Sequence, residues 1–436
     1  MRSLLTVALL VASISSSVAE PGLAISEEDL GAKLDTLLVP WDQSDAPGMA
    51  VLVQSRGTDI YRRCIGLADL EQGIKITPLT CFDLASVSKH LTAFGLCLLA
   101  EEGRLNLDDP IRRYLPELPL CAEPVLVRHL VHQSSGFWEF WTILNKYSGF
   151  QGRDYLRLSD VLTLLAGQSA LNFAPGSRYA YTNTNYSLLS LVIERAGGIR
   201  FGIWMRDHVF TPLGMTGTLI QTECTELIPH RATAYLSDAE GYRLARPSNV
   251  EIPGSAHAFT NLEDMSRWLS SFHDKRLGGD RIFECITKPG VLNDGTQMNY
   301  AGGLIVSERK RTKTIQHSGQ TGGFKTMLIY CPEEELGVVI LANARSINAA
   351  GLAFEILDIC RGLEPPRPAG ETTEEPTLEP ESFTPDVALL DSYTGGYRLQ
   401  PDGGHDLHNG WDGRCGGADL GYGWRNSVGA PREFRI

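Results

Sequence analysis

Strand-like runs lie near both ends of this 436-residue chain, and a long helical region separates them. Apolar and β-branched runs at Met49–Gln54 and Asp59–Cys64, joined by a short turn-type segment, predict a hairpin. More strand-like runs follow the middle region, at Ala301–Ser307, Lys313–His317, Phe324–Cys331 and Gly337–Ala344. We therefore expect both ends of the chain to form one antiparallel sheet.

The region between these runs has the apolar spacing of helices, most clearly at Val161–Leu165, Tyr186–Ala196 and Leu262–Phe272. Ser86–Glu102 and Ile347–Leu363 also predict helices. The expected fold class is α/β (α+β): an antiparallel sheet flanked by helices, with a mainly helical second lobe. A cleft between such lobes is the usual position of an active site.

The composition excludes several classes of protein. Lys and Arg number 39 against 52 Asp and Glu, and the net charge of −13 argues against a nucleic-acid partner. An apolar fraction of 43 % is too high for a disordered chain and too low for a polytopic membrane protein.

The first nineteen residues are typical of a secretory signal. Arg2 is followed by an apolar run from Leu4 to Ile14, and Ser17-Val18-Ala19 provides a small-residue cleavage site. The alternative, a membrane anchor, requires about 20 apolar residues. We expect a signal peptide over 1–19, no membrane span, and a secreted or periplasmic protein.

The C-terminal part differs in composition from the rest. An enzyme-like domain is expected over 20–361, followed by a linker rich in Pro, Glu and Thr over 362–385. Residues 386–436 are rich in Gly and are interpreted as a tail or a truncated β domain.

Cysteine and histidine spacings do not predict a metal site. The nine cysteines include no C-x-x-C pair, and their odd number leaves at least one unpaired. Cys97 and Cys331 lie in apolar runs, where a small buried thiol is the expected role. His129 and His132 form H-x-x-H without a glutamate, so neither a metal nor another cofactor is expected.

The first motif that could support chemistry is Ser86-Val87-Ser88-Lys89 at the start of a predicted helix. Ser and Lys three residues apart share one helix face. The helix N-terminus favours a developing oxyanion and disfavours a protonated lysine, so Lys89 could accept the proton of Ser86. The structural alternative is an N-cap serine beside a solvent-facing lysine.

Two further motifs favour the catalytic interpretation. Tyr181-x-Asn183 before a helix places a phenol and an amide together, and the phenol could relay a proton if neighbouring cations lowered its pKa. His317-Ser318-Gly319, followed by Gln320, lies at the end of a predicted strand. Glycine at this position would let a substrate lie along the strand.

This ordered trio resembles the serine β-lactamase and penicillin-binding-protein superfamily, in its class C-like branch of esterases, D-aminopeptidases and DD-peptidases. Other landmarks agree over roughly residues 28–361, and they are Glu102–Pro110, Tyr114–Pro116, Val127–Gly136 and Pro212–Met215.

The resemblance implies a β-lactamase/transpeptidase-like fold and assigns a role to each motif residue. Ser86 would be the acylated nucleophile, Lys89 its base, and Tyr181 a partner in proton transfer. Asn183 would contact Lys89 and the substrate, and His317-Ser318-Gly319 would take the place of the family's K-T-G. The backbone N–H groups of Ser86 and Gln320 would form the oxyanion hole.

Two departures bear on the substrate. No motif for a deacylating glutamate is evident, so Tyr181 and Lys89 would have to activate the water. His317 replaces a lysine, and a mostly neutral imidazole is a weaker partner for a substrate carboxylate. The sequence thus predicts a serine hydrolase acting on a small-molecule or peptide ester or amide. The alternative is a penicillin-recognising sensor without turnover, and the oligomeric state stays open.

Overall fold

The computed structural model describes residues 26–147, 154–245 and 249–363. The expected signal peptide, almost all of the expected linker and the Gly-rich tail lie outside these residues.

The described residues form helices and strands in the order that the sequence predicts. The helices are α1 (Glu27–Leu38), α2 (Ser88–Glu101), α3 (Val127–Val131), α4 (Phe140–Tyr147), α5 (Leu158–Ala166), α6 (Asn183–Gly197), α7 (Phe201–Met205), α8 (Leu262–Asp274), α9 (Gly279–Thr287) and α10 (Ala349–Cys360). The strands are β1 (Met49–Ser55), β2 (Thr58–Ile65), β3 (Leu67–Asp69), β4 (Ile74–Lys75), β5 (Phe82–Asp83), β6 (Leu156–Arg157), β7 (Leu219–Ile220), β8 (Tyr235–Asp238), β9 (Gly241–Leu244), β10 (Val250–Glu251), β11 (Ala258–Thr260), β12 (Ile305–Arg309), β13 (Thr312–Thr321), β14 (Phe324–Cys331) and β15 (Leu336–Ala342).

One six-stranded antiparallel sheet unites the two ends of the chain, in the order β12-β13-β14-β15-β1-β2. The junction is the pairing of β1 with β15, in which Val51 lies opposite Ile340. The expected α/β (α+β) class and the antiparallel sheet are confirmed.

Successive side chains of strand β1 pack in different hydrophobic cores, because neighbouring residues of a strand point to opposite faces of the sheet. Met49, Val51 and Val53 pack in a cluster with α1 and α10. Ala50 and Leu52 belong to the larger cluster on the other side, which includes α2, α6 and α8. The first turn of α2 is therefore fixed from the sheet side and from the helical side.

The strand expected at Ala301–Ser307 begins later, at Ile305. Gly303 has a φ of 70°, and a Cβ there would lie 2.5 Å from the backbone N of His90. Residues 301–304 therefore turn against α2 instead of extending the sheet.

The expectation that Cys97 is a free buried thiol is wrong, because Cys97 of α2 forms a disulfide with Cys285 of α9. Their 188-residue separation left no local signal for this pairing. Cys331 is buried with a free thiol, as expected.

The described residues provide neither a cluster of metal ligands nor a membrane-spanning helix. They contain no group of three or more His, Cys, Asp or Glu side chains able to hold a metal ion. No helix among them is both long and apolar enough to cross a bilayer. His129, from the H-x-x-H pair, accepts a hydrogen bond at Nδ1 from the backbone N of Leu126 (3.1 Å).

Candidate active site

Ser86 lies in a strained turn between β5 and α2. Residues Ala85–Val87 form one 3₁₀ turn, so Ser86 lies just before the α-helix, not on its first turn as the sequence suggested. Ala85 has a φ of 49°, in the left-handed region that a non-glycine residue rarely adopts. Its backbone N–H is held by Asp83 Oδ1 at 2.8 Å. The turn leaves Ser86 partly exposed while its neighbours are buried.

Lys89 extends from the first turn of α2 into a fully buried polar pocket. Its Nζ lies 3.1 Å from Ser86 Oγ and 2.8 Å from Asn183 Oδ1. It also donates to the backbone oxygen of Ser255 at 2.8 Å. The alternative of a solvent-facing lysine is thereby excluded.

Burial lowers the pKa of Lys89 to about 7, although the negative charge of Glu139 opposes the shift. Desolvation disfavours the ammonium form, which has an ordinary pKa of about 10.4. A large fraction of Lys89 is therefore a neutral amine near neutral pH, next to a serine hydroxyl.

Tyr181 completes a triangle with Ser86 and Lys89. Its hydroxyl donates to Ser86 Oγ at 3.1 Å, and Lys89 Nζ lies 5.0 Å from its ring centroid. The residue as a whole is 37 % exposed, although its hydroxyl is directed to Ser86 Oγ. Burial raises the pKa of Tyr181, and the hydrogen bond to Ser86 only partly offsets this rise. The relay considered from the sequence was conditional on neighbouring cations lowering this pKa; burial instead raises it, and Tyr181 is a protonated phenol.

Gln133 holds the segment that carries Tyr181 and Asn183. Its Oε1 accepts from the backbone N of Thr182 (3.1 Å) and from Asn185 Nδ2 (2.6 Å). Thr182 caps α6, so Asn183 starts the helix with its side chain toward Lys89. The Y-x-N motif is thus fixed from behind by a buried amide that sequence reasoning did not single out.

Strand β13 forms the opposite wall of the site. Gly319 is the point of contact, because a Cβ there would lie 2.3 Å from the Leu84 backbone oxygen and 2.3 Å from Thr326 Oγ1. The glycine is therefore required for packing of the strand against the Ser86 turn. This differs from the expected reason, which was room for the substrate.

His317 is buried on this wall among aromatic rings. Its ring centroid lies 6.2 Å from that of Tyr181 and 6.1 Å from that of Tyr300, and its Nδ1 lies 2.6 Å from the Ser318 backbone oxygen. Burial, and secondarily the charge of Lys89, lower the pKa of His317 to about 3. The imidazole is therefore neutral at any physiological pH.

The far end of β13 has one open edge. Strand β12 pairs with β13 only as far as Gln316, whereas β14 continues to pair up to Thr321. Among the described residues, no strand covers the other edge of residues 317–321. The side chains of Ser318 and Gln320 are exposed there.

The structure thus gathers the motif residues at one place: Ser86, Lys89, Tyr181, Asn183 and the strand 317–320. It also adds residues that sequence reasoning missed, namely Glu139, Gln133, Ser255 and Tyr300. Ser255 contributes only a backbone oxygen, which leaves no trace in the sequence. The one available signal for Glu139 was its place directly before a helix.

Comparison with known proteins assigns the family. The model of the beta-lactamase family matches residues 31–358. The chain belongs to the beta-lactamase family.

Relatives within this family have several names. A D-aminopeptidase from Gluconobacter oxydans (strain 621H) is 28 % identical over 334 residues, 76 % of this chain and 62 % of that protein. This chain thus spans less than two thirds of that relative. A penicillin-binding protein of Bacillus subtilis (strain 168) is 25 % identical over 366 residues, 80 % of this chain and 79 % of that protein.

Solved structures agree with this assignment. The octameric penicillin-binding protein homologue from Pyrococcus abyssi superposes with a TM-score of 0.65 at 25 % identity, covering 77 % of this chain and 78 % of that one. Beta-lactamase family membership and these relatives support a function of the serine hydrolase type in general.

Proposed function

We propose that this protein is a serine hydrolase that cleaves an ester or amide through an acyl-enzyme on Ser86. The observation that carries the proposal is the contact of one partly exposed hydroxyl with both a buried lysine and a phenol, each at 3.1 Å. A nucleophile beside its base, and the base oriented by a third group, is the general arrangement of covalent catalysis. Here the third group is Asn183, which holds Lys89.

The proposed acylation step uses Lys89 as the base. Ser86 Oγ attacks the substrate carbonyl carbon, and its proton passes to the neutral amine of Lys89. The bond from the carbonyl carbon to the leaving oxygen or nitrogen then breaks. Tyr181, a protonated phenol, donates its proton to the leaving group and regains one from Lys89. Water next attacks the ester on Ser86 and gives up a proton to the Lys89–Tyr181 pair. The bond between the carbonyl carbon and Ser86 Oγ then breaks, the pair returns the proton to Ser86 Oγ, and the acid is released.

The proposed oxyanion hole consists of the backbone N–H groups of Ser86 and Gln320. Thr321 and Phe324 pair across a two-residue turn, and neighbouring residues of an antiparallel strand direct their N–H groups to alternate edges. This register supports an N–H of Gln320 on the open edge of β13. Removing one such donor typically costs about 2.7–4 kcal/mol of transition-state stabilisation.

The substrate class follows from His317. A neutral imidazole among aromatic rings provides no permanent charge for a substrate carboxylate. We therefore propose a carboxylic ester or a D-amino peptide as the substrate, with poor turnover of β-lactams.

The chemistry is tested with a fluorophosphonate or fluorescent-penicillin probe on the full chain. We expect labelling of the wild type and of Ser159→Ala, an exposed serine on α5, and none of Ser86→Ala. Equal labelling of Ser86→Ala would contradict the mechanism.

The substrate is tested with a panel of p-nitrophenyl esters, D-alanyl p-nitroanilide and nitrocefin. We expect ester cleavage with nitrocefin weak or inert. Nitrocefin turnover as fast as ester turnover would contradict the argument from His317. Stoichiometric labelling without turnover of any compound would instead indicate the sensor alternative.

We also propose that the protein is exported and acts outside the cytoplasm. Its signal-like N-terminus supports this, and so does the Cys97–Cys285 disulfide, since disulfides persist in oxidising compartments. Mass spectrometry of the secreted or periplasmic fraction is expected to find a mature N-terminus at Glu20.

A further inference from the structure

Glu139 lies at the start of two helices that meet behind the site. It directly precedes α4, and its Oε1 accepts from the backbone N of Trp141 at 3.3 Å. Its Oε2 accepts from the backbone N of Asn183, the first residue of α6. One half-buried carboxylate therefore connects the loop that precedes α4 to Asn183, the residue that holds Lys89.

Thr184 provides a second link between the same elements. Its hydroxyl donates to the Trp138 backbone oxygen at 2.6 Å and accepts from the backbone N of Phe140 at 3.0 Å. The backbone around Glu139 is therefore fixed independently of its carboxylate. A change at this carboxylate can thus alter charge without releasing the loop.

The titratable groups around Lys89 come from four elements. Tyr181 lies before α6, His317 is on β13, Glu139 precedes α4, and His90 follows on α2 itself. Burial keeps both imidazoles neutral, with the pKa of His90 lowered to about 4, and Tyr181 is protonated. Glu139 is the neighbour whose negative charge opposes the lowering of the Lys89 pKa.

We propose that Glu139 is a positioning residue, whose carboxylate holds Asn183 against Lys89 and places a fixed negative charge beside the ammonium form of Lys89. The inference rests on the proposed hydrolysis at Ser86, because Lys89 acts there as the base.

The direction of the effect follows from the charge. A negative neighbour stabilises the protonated amine, so removing it makes Lys89 lose its proton at a lower pH. The rate of Ser86 acylation rises as Lys89 becomes neutral. The acid limb of the rate profile is the range in which the rate rises with pH. Loss of the Glu139 charge therefore moves this limb to lower pH.

The test is the rate of fluorophosphonate labelling of Ser86 as a function of pH, in the full chain. Glu139→Gln keeps an acceptor for the backbone N of Asn183. In this variant we expect the acid limb to shift to lower pH by roughly one unit. In Glu139→Asp, which keeps the charge but shortens the reach, we expect an unmoved limb and a several-fold slower plateau. Glu71→Gln, at an exposed turn, is expected to match the wild type.

The outcomes separate this inference from the proposed function. An acid limb that stays in place in Glu139→Gln overturns the role of Glu139, even if the plateau falls, because a purely structural role would slow labelling equally at every pH. An equal shift in Glu139→Asp also overturns it. A wild type that is not labelled at Ser86 at any pH contradicts the proposed function instead.

Discussion

The two walls of the site are both buried, but they respond to burial in different ways. On the helical wall, Lys89 has three polar contacts, and its pKa falls only to about 7. On the strand wall, His317 lies among aromatic rings, and its pKa falls to about 3. Desolvation thus makes one group a titrating base and the other a permanently neutral contact. In the proposed mechanism, proton transfer therefore belongs to the helical wall and substrate selection to the strand wall.

Removing the base from the helical wall is expected to have the largest effect. Lys89→Met should slow Ser86 labelling and ester hydrolysis by about 10³-fold, since positioned proton transfer contributes about 10²–10⁴-fold. Assays of ester hydrolysis and of probe labelling at Ser86 measure this loss. The control is Lys75→Met, since Lys75 is exposed. A variant with more than a tenth of wild-type activity would show that Lys89 is not the base.

Removing the phenol proton of Tyr181 is expected to have the next largest effect. Tyr181→Phe keeps the ring against Lys89 but removes the donor to Ser86 Oγ. We expect kcat to fall by about 10²-fold. The fall should be smaller for an ester with a good leaving group, such as p-nitrophenolate, than for an anilide. Equal losses for both substrates would contradict the assignment of Tyr181 to protonation of the leaving group.

Adding a charge to the strand wall tests substrate selection. His317→Lys introduces an amine beside the open edge of β13, where a substrate carboxylate could pair with it. We expect the ratio of kcat/KM for nitrocefin to that for a neutral ester to rise about tenfold, which corresponds to about 1.4 kcal/mol. His317→Gln, a neutral replacement, serves as the control. An unchanged ratio would show that His317 does not select the substrate.

The smallest effect is expected when His317 is replaced by another neutral residue. The wild-type acid limb should lie near pH 7, with the rate rising as the pH passes the pKa of Lys89. Because His317 does not titrate near pH 7, His317→Asn should leave that limb within a few tenths of a pH unit. A shift of one unit or more would mean that the two walls are not electrostatically separate.

Much of the fold could be predicted from local patterns. The run Phe324–Cys331 forms β14 with the same bounds, because its residues are apolar and β-branched. The motif residues also meet, as the resemblance implied. Residues 301–304 were assigned to a strand wrongly, because their turn depends on contact with α2, which is distant in sequence.

The details of the site depended on distant contacts. The upward shift of the Tyr181 pKa comes from burial, and the role of Gly319 comes from its contact with Leu84 and Thr326. Glu139 and the oxygen of Ser255 reach the site through loops whose course no local pattern predicts. Sequence motifs therefore identified the residues of the proposed mechanism but not the surroundings that shift their pKa values.

The pairing of β1 with β15 has a consequence for biosynthesis. Val51 of β1 pairs with Ile340 of β15, which is nearly 300 residues later in the chain. Until β15 has been made, the edge of β1 that faces away from β2 has no partner strand. Non-local pairings of this kind form late in folding, because the entropy cost of closing a long loop comes before the stabilising contacts are made. Strand β13, which presses Gly319 against the Ser86 turn, also leaves the ribosome late. In the proposed mechanism, a nascent chain that stops short of these strands carries its nucleophile without the opposite wall, and it is inactive until β13, β14 and β15 have been made.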